Sequence, residues 1–257
     1  MAENMPSPLK SLMAKIRLDQ HLVQAGFLPT REKAQAYILA GRVWVGDKKI
    51  DKCGTPVDPK DPIRVDLPTS QYVSRGGDKL AGAFSQFPVE ILGKTALDVG
   101  ISTGGFTDYL FQQGIKKVVG IDVGYGQVDY KIRMDPRLHL IERTNARHIS
   151  AEMLAEYQSE IRLVVMDVSF ISVTKILPNL AQLLHPDTDY IILIKPQFES
   201  QKSEIGKGGI IKDETIRQGI LDRVTQELSP HFQKLGECNS PITGTKGNQE
   251  AFFWLKT

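Results

Sequence analysis

"TALDVGISTGG", residues 95–105, is an apolar run that stops in a glycine-rich turn, the pattern of a strand feeding a ligand loop ahead of a helix. The dinucleotide fingerprint sets glycine at alternate positions so that pyrophosphate can approach the backbone, and Ser102 occupies the second of those places. Asp98, just before the turn, would repel a phosphate and attract a cation. Two readings stand at this point: a nucleotide cofactor with no phosphate at the loop, or a purely structural strand-to-helix turn.

Outward from this stretch, apolar runs alternate with helical ones. After a helix-like KLAGAFSQF (79–87) come KTALDVG (94–100), KVVGIDVG (117–124), LHLIERT (138–144), LVVMDVS (163–169) and DYIILIKP (189–196). The rhythm predicts an α/β fold, a parallel sheet with helices on both faces. DETIRQGILDRVTQEL (213–228) adds an amphipathic helix, and the closing FFWL suits a last buried strand in a pair that can be antiparallel. Ahead of the sheet, LDQHLVQAG (18–26) and REKAQAYILAG (31–41) read as short helices closed by glycine, the second capped by Thr30. RVWVGDKKI (42–50) alternates around a Gly-Asp turn and PIRV (62–65) is extended. DLPTSQYVSRGG (66–77) has linker composition. The expected organisation is a small α+β domain over 14–68, a linker over 69–78 and an α/β domain over 79–257.

With 257 residues and 41% hydrophobic content, the chain can bury the core of one ordinary domain plus a small module. Net charge is only +2, but residues 1–70 carry 11 Lys/Arg against 8 Asp/Glu and the remainder 21 against 22, so the basic excess lies at the front. Two distant cysteines, Cys53 and Cys238, make no disulfide framework, which points to a reducing, cytoplasmic setting. The opening MAENMPSPLKSLMAK lacks a secretory apolar core, and no window reaches the ~18 apolar residues of a membrane span. Five scattered histidines give no metal-ligand spacing, so no metal is assigned.

In a doubly wound sheet, ligands gather at the carboxyl ends of strands, where Asp98, Asp122, Asp167 and Lys195 all fall. Asp122, ending the second strand, is placed to accept both ribose hydroxyls of an adenosine. Any one of the four could be a solvated strand end; together they favour a site.

Three stretches carry a family resemblance: Asp98-Val-Gly-Ile-Ser-Thr-Gly-Gly-Phe-Thr-Asp108, Lys195-Pro-Gln-Phe-Glu199 and Gly247-Asn-Gln-Glu250. They resemble the TlyA (hemolysin A) family of S-adenosylmethionine-dependent ribosomal RNA 2′-O-methyltransferases. The front part, from Arg17-Leu-Asp19 through the helix holding Arg31 to Gly41-Arg-Val-Trp-Val45, resembles a small ribosomal-protein-type RNA-binding module, the αL motif. The resemblance implies a Rossmann-like class I methyltransferase sheet of seven strands, the last inserted antiparallel, and a catalytic tetrad on Lys79, Asp167, Lys195 and Glu250. It implies cofactor contacts from Asp98, Gly100, Ser102, Thr103, Gly104, Gly105, Phe106, Asp122 and Asp167. Arg17, Arg31, Lys33, Arg42, Lys48 and Lys49 would meet RNA phosphates, with Trp44 as a stacking surface. The implied substrate is ribosomal RNA or a ribosomal subunit, with cytidine as the nucleoside.

The chemistry suits these residue types. A ribose hydroxyl becomes a nucleophile only when a base removes its proton, and a charged lysine is no base; burial and a second ammonium both favour the neutral amine, while the carboxylates hold it in position and oppose that shift electrostatically. Lys195 is expected as base and Lys79 as its charged neighbour, with Asp167 and Glu250 orienting them. Carbon-5 methylation of cytosine would need a nucleophilic cysteine at the site, and amino-nitrogen methylation commonly shows Pro-Pro-aromatic where this chain has Asp-Val-Ser-Phe. The rival classes are a membrane-acting hemolysin and a non-catalytic RNA-binding assembly factor.

Overall fold

Leucine and isoleucine at helical spacing build the first unit around a small core of its own. The computed structural model describes residues 15–66, 70–244 and 246–257; the opening stretch read for a signal and residues 14 and 67–69 of the expected boundaries lie outside them. β1 (Ile16–Arg17) leads into α1 (Leu18–Gln24), which closes at Gly26 with φ +76°. Thr30 caps α2 (Arg31–Leu39), its hydroxyl accepting from the Lys33 amide. β2 (Val43–Val45) and β3 (Lys48–Ile50) form the expected hairpin, with Gly46 at φ +59° in its turn. β4 (Pro56–Val57) pairs with β1, a contact the sequence reading does not contain, and β5 (Ile63–Val65) lies antiparallel along β2. Leu18, Leu22, Ala34, Ile38 and Val43 are fully buried between helices and strands.

The chain divides at residues 69/70 into two units. The second begins with α3 (Arg75–Phe84), four residues earlier than the helix expected at 79 and inside the stretch read as linker. Gly76 and Gly77 are helical because they permit close approach rather than a break. A Cβ on Gly77 would fall 2.2 Å from the Tyr72 ring, and one on Gly105 would fall 3.0 Å from the Gly77 amide nitrogen.

β6 (Thr95–Val99), α4 (Gly105–Gln112), β7 (Lys117–Ile121), α5 (Tyr130–Arg133), β8 (Leu138–Ile141), α6 (Ala151–Leu154), β9 (Ile161–Met166), α7 (Leu177–Leu183) and β10 (Asp189–Ile194) follow in alternation. α8 (Pro196–Glu199), α9 (Glu214–Leu228), β11 (Gln233–Asn239) and β12 (Ala251–Lys256) complete the unit. The sheet order is β8-β7-β6-β9-β10-β12-β11. β6 to β10 are parallel; β12 runs antiparallel between β10 and β11. Alternate residues face opposite cores: Leu97, Val164, Ile192 and Phe253 pack with α7 and α9, whereas Ala96, Val165, Ile191 and Phe252 pack with α3 and α4. The chain leaves β6 outward to β8 and returns to β9 on β6's other side, so the strand order reverses between β6 and β9.

Candidate active site

Gly100 turns the chain out of β6 with φ +85°, and a Cβ there would lie 2.5 Å from the Asp167 carbonyl oxygen. Only glycine lets this loop run against the end of β9. Ser102, at φ +51°, also takes the left-handed conformation, and its amide donates to Asp122 at 2.8 Å. Asp122, one residue past β7, accepts from the Gly124 amide as well, at 2.7 Å. Both Asp122 oxygens are held by backbone and keep lone pairs for further donors. Gly104, at φ +92°, starts α4.

Asp98 lies inside β6 rather than at its end, because Val99 continues the pairing to Ile121 and Met166. It is 0% exposed; Thr107 Oγ1 donates to Oδ2 at 2.7 Å, and Oδ1 has no hydrogen-bond partner among the described residues. Burial pushes this carboxyl up to about 7, and the nearby charges of Asp167 and Asp122 add to the effect. Asp108, at the end of the same motif, is structural: it accepts from the Val73 amide at 2.8 Å and fixes the approach to α3.

Three cavities share walls at the switch point. The largest, about 540 Å³, runs from Gly100 and Ser102 past Asp122 and Val123 to Thr144–Arg147, with Asp167–Ile171 opposite. A smaller one, about 190 Å³, adds Ser74, Arg75 and Lys79 to Thr103, Gly105, Phe106 and Asp167. The third, about 300 Å³, is walled by Ser169, Phe170, Lys195, Phe198, Gly209, Asn248 and Glu250. Asp98 and Gly104 line none of these and stand behind the loop.

The four tetrad positions come together as two ion pairs. Lys195, just past β10, meets Asp167 at 2.5 Å and donates to Ser169 Oγ at 2.9 Å. Lys79, on α3, meets Glu250 at 2.5 Å in a buried contact. Glu250 sits one residue before β12, and the antiparallel register pairing Ile194 with Ala251 sets it beside the end of β10. Phe170 is 90% exposed, holds φ +65°, and packs its ring 5.0 Å from that of Phe198. A bulky residue in the left-handed region is strained, and such strain gathers at ligand sites. Thr144–Arg147 and Phe170 were not read from the sequence, since nothing local distinguishes a strand-end loop that lines a cavity; the positive φ at Phe170 has no sequence signature.

In the first unit, Arg17 and Arg31 converge on buried Asp19. Lys33 and Lys48 are exposed, Arg42 lies over the Tyr37 ring, and Lys49 lies over Trp44. Trp44 is half-buried with Arg64 on its other side at 4.3 Å, so it belongs to a cationic surface and not to the core. Arg64 was missed by the sequence reading.

A parallel sheet with its last strand inserted antiparallel, a cavity at the order reversal and a Lys/Asp/Lys/Glu cluster beside it define a Rossmann-like methyltransferase. The FtsJ-like methyltransferase pattern matches residues 72–257 and the S4 domain pattern residues 16–63. The chain belongs to the FtsJ-like methyltransferase family, whose cofactor is S-adenosylmethionine. It is 42% identical to hemolysin A of Brachyspira hyodysenteriae over 91% of this chain and 97% of that one. It is 39% identical to the 16S/23S rRNA (cytidine-2'-O)-methyltransferase TlyA of Mycobacterium tuberculosis over 95% and 90%. Among solved structures, a hemolysin candidate from Streptococcus thermophilus matches with TM-score 0.73 and 35% identity, over 95% of this chain and 89% of that one. The seven-stranded sheet, its inserted last strand and the small RNA-binding module in front thus stand as the sequence implied. No helix among the described residues is long and apolar enough to cross a membrane.

Proposed function

We propose that the protein moves the methyl group of S-adenosylmethionine to a ribose 2′-hydroxyl of ribosomal RNA, with cytidine as the target nucleoside. The arrangement at Lys195 carries this reading. Its nitrogen lies in an ion pair with Asp167 and donates to Ser169 Oγ at the cavity wall, and in the neutral form its lone pair would be open to the hydroxyl that must lose its proton.

The cofactor fits the residues present. The glycine-lined turn at Gly100 supplies a backbone cradle without phosphate-binding geometry, Asp122 offers acceptors to ribose hydroxyls, and the Asp98 carboxyl, with one oxygen unpaired among the described residues, stands behind the loop where a cation would favour its ionised form. When bound, S-adenosylmethionine supplies an electrophilic methyl group. Ser102, Thr103, Gly105 and Phe106 would flank its amino-acid part, and Thr144–Arg147 its base. Lys195 takes the hydroxyl proton, Asp167 and Ser169 keep Nζ aimed, and the Lys79–Glu250 pair holds a second ammonium near the developing alkoxide. Phe170 and Phe198 offer apolar faces on which an unstacked base can lie. Arg17, Arg31, Lys33, Arg42, Lys48 and Lys49 would carry phosphate contacts from the first unit.

The test is incubation with labelled S-adenosylmethionine and separate ribosomal subunits, followed by nucleoside analysis. Label on the ribose of cytidine is the expected result; label on a base with unmodified ribose overturns the reading. Liposome leakage without methyl transfer would favour the hemolysin class instead.

A further inference from the structure

Asp19 is fully buried in a surface otherwise rich in cations, and every acceptor position on it is used. Its Oδ1 accepts from Arg17 Nε at 3.1 Å and from the Gln20 amide at 3.0 Å. Its Oδ2 accepts from Arg17 Nη2, Arg31 Nε and Gln35 Nε2, each at 3.0 Å. The Arg17 guanidinium hydrogen-bonded to it holds the Asp19 carboxyl far below the usual carboxylate range, despite burial. Both arginine side chains are nevertheless half in solvent, 48% and 47% exposed. The Arg17 guanidinium also rests on Gly54, where a Cβ would come within 3.0 Å of Nη1.

We propose that Arg17 and Arg31 form one phosphodiester clamp and that Asp19 is the positioning residue that builds it; this rests on the RNA-substrate reading above. Arg17 Nη2 and Arg31 Nε both touch the same oxygen, so these nitrogens stand no more than about 6 Å apart. Each guanidinium carries five N–H donors. Arg17 spends two on Asp19 and Arg31 spends one, which leaves both forks with free donors toward solvent. Two forks at this spacing can take the two non-bridging oxygens of a single phosphate, a bidentate geometry a lysine pair cannot reproduce. Charge alone argues against an acid here, because Asp19 subtracts one unit from a surface meant to attract RNA. Its contribution is therefore order: it freezes two long side chains before RNA arrives, so that less rotamer entropy is lost on binding.

Geometry and charge make opposite predictions for Asp19→Asn, which adds one positive unit to the full chain. Binding of a fluorescently labelled ribosomal RNA hairpin is followed by anisotropy between about 50 and 200 mM salt. The clamp predicts affinity at least fivefold weaker in Asp19→Asn, with the slope of log affinity against log salt shallower by about one. A purely electrostatic surface predicts tighter binding. Arg31→Lys keeps the charge and loses the fork, and it should weaken binding to the same degree with unchanged melting temperature and unchanged S-adenosylmethionine affinity. That variant decides the matter if Asp19→Asn fails to fold. Wild-type affinity or better in Arg31→Lys, or in a folded Asp19→Asn, overturns the clamp. A wild-type chain with no salt-dependent RNA binding overturns the RNA reading itself, which is a distinct result.

Discussion

Lys79 and Glu250 are 171 positions apart and meet as a buried pair. Removing one partner of such a pair strands a charge, whereas replacing both with apolar residues removes the problem. Glu250→Gln should therefore cost about 3–5 kcal/mol in denaturant unfolding, and the Lys79→Met/Glu250→Leu double variant should recover most of it, both being inactive. Lys195→Ala should lower turnover at least about 10²-fold while cofactor affinity measured by calorimetry stays near wild type; substantial retained turnover would remove Lys195 as the base. Asp98 gives a pH prediction. Its pKa is raised to about 7, so between about pH 4 and pH 7 the native protein holds a proton that the unfolded chain has lost, and stability falls as pH rises through that window. A cation brought near favours the ionised form, so cofactor binding near pH 7 should expel a proton. Calorimetric heats should then vary with the ionisation enthalpy of the buffer, and Asp98→Asn should abolish the variation. The sequence pointed to Asp98 through its place before the glycine turn; it could not show the residue behind the loop, since burial there depends on α4 supplying Thr107.

At the scale of elements, the glycines of 76 and 77 explain both what was legible and what was not. Composition marks them as breakers, and only the crossing of α3 over α4 reveals them as contact points. The parallel strands were readable because each is a short apolar run ended by polar residues, while β1 and β4 are two-residue segments with no period to detect. The GNQE turn holds a second feature that the motif alone did not show. Asn248, buried, donates to the Gly209 carbonyl at 2.9 Å and accepts from the Ile211 amide at 2.9 Å, pinning the segment 206–211 against the turn that carries Glu250. Gly208 and Gly209 adopt φ of +79° and +80° in that segment, a conformation glycine takes without strain, and the Gly206 amide closes it by donating to the Ile210 carbonyl at 3.2 Å. Asn248→Ala should raise the KM for RNA by roughly tenfold through loss of two buried hydrogen bonds, with the Kd for S-adenosylmethionine unchanged.

At the scale of the molecule, each unit owns its core: Leu18, Leu22, Ile38 and Val43 belong wholly to the first, and both cores of the large sheet belong to the second. A chain beginning at Ser70 should melt cooperatively and bind S-adenosylmethionine with wild-type affinity, yet lose most of its RNA affinity and the salt dependence with it. The order of the two units was legible because helix caps and glycine stops are local signals. Strand order was not a local property, and the inserted β12 came from family resemblance rather than from periodicity. That insertion sets a schedule for biosynthesis. Residues 79, 167 and 195 leave the translating ribosome well before residue 250, and β12 must slot between two strands, β10 and β11, that both precede it in the chain. The sheet therefore closes only when β12 enters between its two predecessors, and of the four residues Glu250 is the last to reach its place beside the end of β10.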